Sequence, residues 1–107
     1  MTIQFNTDNN LTLHQEFRDK LNDILSEELN RYSENITRVE VHLSDLNGHK
    51  DGLNDKRCML EARVEDRQPI AVSAEGDTYE LSVYEAVDKL KSSLETIQGR
   101  MKSQQQS

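Results

Sequence analysis

The sequence predicts an α+β domain of order β-α-β-β-β-α, in which a four-stranded sheet carries two helices on one face. Three observations predict it. Apolar residues alternate with period two in four separate stretches, and they recur at helical spacing in two others. Each strand stretch also has one apolar and one polar side, which asks for cover on one face of the sheet only. A doubly wound sheet would need helices on both.

The first strand is Thr2-Ile3-Gln4-Phe5-Asn6, with Ile3 and Phe5 on one face, and Asp8-Asn9-Asn10 follows as a turn signal. From Leu13 the apolar positions fall at Phe17, Leu21, Ile24, Leu25, Leu29 and Tyr32, predicting a helix from about residue 13 to about residue 33. Thr12 and Gln15 have the spacing of a capping box at its start. Period two returns at Ile36 to Ser44, with Val39, Val41 and Leu43 inward and Arg38, Glu40, His42 and Ser44 outward. Asp45 to Asp55 holds two glycines among polar residues and reads as a mobile loop.

Lys56 to Glu65 alternates again, with Cys58, Leu60, Ala62 and Val64 inward. Asp66-Arg67-Gln68-Pro69 turns the chain into a fourth strand, in which Ile70, Val72 and Ala74 face the core. Asp77 with Glu80 resembles an acidic helix start, and Val83, Val87, Leu90, Leu94, Ile97 and Met101 then form one apolar seam.

Thirteen Lys and Arg stand against twenty Asp and Glu, a formal charge of -7, which excludes a nucleic-acid binder that works by bulk positive charge. The charge is uneven. Residues 1 to 37 sum to -4, 38 to 67 to -1, 68 to 85 to -4, and 86 to 107 to +2. No apolar run is long enough to span a membrane, and the N-terminus lacks the layout of a signal peptide, so a cytoplasmic protein without membrane contact is expected. On that reading the two sequons at Asn10 and Asn35 are chance matches.

The element order, together with Ile36-Thr37-Arg38-Val39 entering a Val-rich strand and Tyr84-Glu85-Ala86-Val87-Asp88-Lys89-Leu90 in the last helix, resembles the ribosome hibernation-promoting factor and ribosome-associated inhibitor family, also called sigma-54 modulation protein. The resemblance covers most of residues 2 to 102. It implies a single domain over residues 1–102, similar to a double-stranded RNA-binding fold, followed by a disordered polar tail at 103–107. It also implies a partner, the small ribosomal subunit and its rRNA, and an activity, the inhibition of translation in stress. The chain stops just after the second helix and so looks like a short form that binds as a single domain. It departs from the family in charge. The run Lys91-Ser92-Ser93-Leu94-Glu95-Thr96-Ile97-Gln98 lacks most of the family's basic face, and the first helix carries Glu16, Asp19, Asp23, Glu27 and Glu28. These mark a divergent, acidic member.

The candidate RNA-contacting cations are Arg38, Lys56, Arg57, Arg63, Lys89, Lys91, Arg100 and Lys102. Lys89 follows from the family's Asp-Lys-Leu match; the others rest on charge and placement. The competing structural roles are pairing of Arg57 and Arg63 with Glu40, Glu61 or Glu65 on the open sheet face, and of Lys89 with Glu85 one helical turn away. His14, His42 and His49 lack metal-site spacing, and Cys58 sits at an inward position without a paired base. No phosphate loop, nucleophile elbow or zinc spacing is present, so neither catalysis, a cofactor nor a small-molecule substrate is expected. The second function class is an acidic protein-interaction module that keeps the fold without ribosome binding and pairs with a basic partner or with itself.

Overall fold

The computed structural model describes residues 1–7, 14–46 and 55–105, with side chains through residue 97. Its elements run β1 (Thr2–Thr7), α1 (Gln15–Glu28), a 3-10 turn (Asn30–Tyr32), β2 (Ile36–Asp45), β3 (Lys56–Val64), β4 (Ile70–Gly76) and α2 (Tyr79–Gln105). The strands lie side by side in the order β1-β2-β3-β4. β1 and β2 are parallel, as a strand-helix-strand connection allows, while β2, β3 and β4 meander antiparallel. The class and element order are those the alternation patterns predict.

Both helices cover the same face. Val39, Val41, Leu43, Cys58, Leu60 and Ala62 from the two central strands are at most 1% exposed, packed under Leu21 and Leu25 of α1 and Val83, Val87 and Leu90 of α2. α2 lies over β3 and β4. α1 lies towards β1, where the Arg18 guanidinium sits 6.0 Å from the Phe5 ring centre.

Four details differ from the sequence expectation, each for a local reason. The first helix begins at Gln15 with His14 at its N-cap and no side-chain cap bond. Gln15 therefore occupies the first helical position and donates to Asp19 at 2.8 Å, too early to serve as the third residue of a capping box. Thr12, the turn at 8–10 and Leu13 lie outside the described residues. At its other end the α-helix stops at Glu28 and the chain tightens into a 3-10 turn, which buries Tyr32 to 1% exposure.

Ile36 and Val39 both face the core although three residues apart, because a bulge shifts the register between Ile36 and Arg38. α2 starts one residue later than Asp77 suggests. Thr78 caps it, its Oγ1 accepting the Leu81 N–H at 3.1 Å. Gly76 suits this junction, since a Cβ there would stand 3.0 Å from the Ser82 nitrogen in the first turn of α2 and would press the helix start outward. The helical backbone continues through Gly99 to Gln105.

The expected loop at 45–55 is framed rather than free at its two ends. The Leu46 N–H donates to the Asp55 carbonyl at 2.8 Å, and Asp55 is 3% exposed. Residues 47–54 between them lie outside the described residues.

Candidate nucleic-acid interface

A surface that binds RNA needs cations free to meet phosphates. In this chain most described cations are already committed. Lys20, Arg31, Arg38, Lys56, Arg63 and Lys91 each hold a carboxylate within 4.0 Å. Among the described side chains Arg18, Arg57, Arg67 and Lys89 form no such pair.

The two lysines expected to act together on α2 occupy opposite flanks of it. Lys89 reaches over the sheet edge and donates to the backbone carbonyl of Ser73 on β4 at 2.8 Å, not to Glu85. That bond occupies an outward carbonyl of an edge strand, a device that discourages edge-to-edge pairing. Lys91 instead reaches towards α1 and pairs with Glu28 at 2.9 Å, which holds its ammonium above the usual lysine range. Arg100 and Lys102 belong to the same helix, in the part whose side chains are not described. The helix surface as a whole is acidic. α1 carries five carboxylates against Arg18 and Lys20, and α2 carries four against Lys89, Lys91, Arg100 and Lys102, so the acidic excess lies on α1.

Lys56 is expected at a strand end and is found there, but turned to the helix side. Its Nζ lies 2.8 Å from Asp45 and 3.3 Å from Asp55, with the Tyr79 ring centre at 5.9 Å. It thus closes the base of the β2–β3 connection under the start of α2. The Asp45 hydrogen bond raises the Lys56 pKa above its ordinary value. A cation with a raised folded-state pKa contributes stability that is complete below the unfolded lysine value of about 10.4 and is lost as pH rises through the folded value. The denaturation midpoint of the parent should therefore exceed that of Lys56→Met at neutral pH, with the gap closing above pH ~10.4. A gap independent of pH would show that the charge contributes nothing.

The opposite face of the sheet carries no helix. Arg38 and Arg63 face each other across β2 and β3, as do Glu40 and Glu61. Like charges directly opposite are unfavourable, so each arginine turns along its own strand. Arg38 holds Glu40 at 2.9 Å and also donates to Gln4, leaving its buried Nε without a partner, while Arg63 lies 3.9 Å from Glu61. The cross-strand pairing weighed for Arg63 is replaced by this along-strand arrangement. Arg57 takes no part in it. It lines a cleft of about 190 Å³ with Asn6, Thr7, His42, Leu43, Ser44 and Met59. His42 is half-buried there rather than solvent-exposed. Asn6, Thr7 and Ser44 were not candidates from the sequence, because only the parallel pairing of β1 with β2 brings Asn6 beside His42.

Cys58 is fully buried, and burial pushes its thiol up to about 12. Among the described residues no three metal-ligating side chains gather, and no helix is long and apolar enough to cross a membrane.

The family model for sigma 54 modulation protein / S30EA ribosomal protein matches residues 3–102, which takes in β1 from Ile3, all of β2 to β4 and nearly all of α2. The chain belongs to this family. Membership makes this S30EA family chain a ribosome-associated factor of the hibernation type. Solved structures share its fold, two of them as follows. A ribosomal subunit interface protein from Coxiella burnetii is 17% identical, with a TM-score of 0.68 over 92% of this chain and 99% of that one. The N-terminal domain of Protein Y from Thermus thermophilus is 23% identical, with a TM-score of 0.70 over 91% and 99%. No curated protein matches the S30EA family chain in sequence.

Proposed function

We propose that this chain binds the small ribosomal subunit through its rRNA and inhibits translation, acting in the cytoplasm. The observation that carries the reading is the family match across residues 3–102, in which all six elements keep their order. Charge shapes how it binds. Few of the described cations are free of a carboxylate, so a small number of phosphates neutralised is expected, and log affinity should fall with log salt on a shallow slope.

Among the α2 candidates, Lys89 meets a phosphate by giving up one exposed hydrogen bond, whereas Lys91 must leave Glu28. Arg100 and Lys102 extend the same helix. Purified protein should sediment with small subunits at low salt, and Lys89→Ala should weaken that association more than Lys91→Ala. The double variant should lower the salt slope by about one to two units. Persistent absence of the parent from subunit fractions at low salt would sink the reading. The acidic helix surface supports the second one, a module whose partner is a basic protein or a second copy of itself; that result would favour it.

A further inference from the structure

We infer that the cleft around Arg57 on the open sheet face is an RNA site that seats a phosphodiester of single-stranded RNA. The inference rests on the ribosome-binding reading and assigns the surface that does the work.

Three strands build the cleft. Asn6 pairs in register with His42, His42 with Met59, and Ser44 with Arg57, so these side chains form a contiguous group on one face, with Thr7 at the end of β1. Among the described residues none of the polar members makes a side-chain hydrogen bond or ion pair. That is unusual in a chain where most of the described cations are neutralised. The group offers what a phosphodiester takes up: a guanidinium fork for two phosphate oxygens, and hydroxyl, amide and imidazole groups for a ribose 2′-hydroxyl or a base edge.

Electrostatics favours this face over the other. On the helix side, carboxylates of α1 and α2 outnumber the cations by three. On the open face Arg38 with Glu40 and Arg63 with Glu61 cancel in pairs, leaving Arg57 uncommitted. Lys89 stands at the outer edge of β4, one strand beyond β3, so a nucleic-acid strand crossing the sheet towards Arg57 meets it. The opposing charge is Glu75, directly across from Arg57 on β4 and not paired with it. Of the two apolar residues in the lining, Leu43 is buried in the core and Met59 is only part-exposed, which leaves little apolar socket for a protein anchor and favours RNA over an acidic peptide.

The test titrates the isotopically labelled full chain with a short single-stranded RNA oligonucleotide and follows backbone resonances. Shifts should centre on Asn6, His42, Ser44 and Arg57. Arg57→Gln should weaken the oligonucleotide by about tenfold and lower the salt slope by about 0.7, whereas Glu75→Gln should tighten it. Shifts confined to the helix surface overturn the site, as do unchanged affinities in both variants or a response to an acidic peptide alone. Small-subunit sedimentation separates the two readings. Subunit binding that is indifferent to Arg57→Gln leaves the proposed function standing and removes this site. A parent that titrates with RNA at the cleft but ignores subunits keeps the site and removes the ribosomal reading.

Discussion

Leu90→Ala should cost about 2 to 5 kcal/mol, a large share of the roughly 5 to 15 kcal/mol that holds a domain of this size together. Leu90 is fully buried where α2 crosses β3 and β4, between Val87 and Leu94 on its own helix. The leucine removes apolar area from water, and its loss leaves a void that strands on one side and a 27-residue helix on the other cannot readily close. The upper half of the range is therefore expected. Chemical denaturation of the parent and the variant measures it. A midpoint unchanged within error would mean that the seam does not face the sheet.

Tyr32→Ala should cost about 3 kcal/mol, the lower end for a buried aromatic. Tyr32 is among the largest fully buried side chains, yet it borders a cleft of about 230 Å³ that Val64, Leu94 and Ile97 also line. Truncation opens the site into that cleft, so water reaches it and the empty-cavity cost is reduced. Tyr32→Phe separates ring from hydroxyl. The phenol donates to Glu95 Oε1 at 2.8 Å, and the loss of that bond should cost about 1 kcal/mol. Burial, then the Glu95 contact, raises the phenol pKa. The hydroxyl's contribution is therefore complete below pH ~10 and fades as pH rises through the folded value. A Phe variant as unstable as the Ala variant would place the stability in the hydrogen bond and not in the ring.

The cost of Tyr32 also shows where sequence periodicity stops. Leu29 and Tyr32 continue the three-and-four spacing of α1, so the pattern extends one helix through both. The chain instead tightens after Glu28, and a 3-10 turn keeps the same side buried with fewer residues per turn. At α2 the apolar seam locates the helix, while the cap falls on Thr78, whose hydroxyl accepts the Leu81 N–H. The bulge between Ile36 and Arg38 escapes a period-two reading altogether, since it inverts parity for a single residue.

By itself the sequence determined the class, the order of the six elements and the inward set, because burial of apolar side chains is written into spacings of two and of three to four residues. It also set the acidic charge against which any RNA contact must work. Only the tertiary structure decided which cations are free. Charge is a property of a residue, but commitment is a property of a pair. Lys91 meets Glu28 only because α2 lies beside α1, and Lys56 meets Asp45 only because β2 and β3 are paired in that register. The same long-range pairing brings Asn6 beside His42 and leaves Arg57 on an uncovered face without an ion pair, a juxtaposition that no local spacing along the chain encodes.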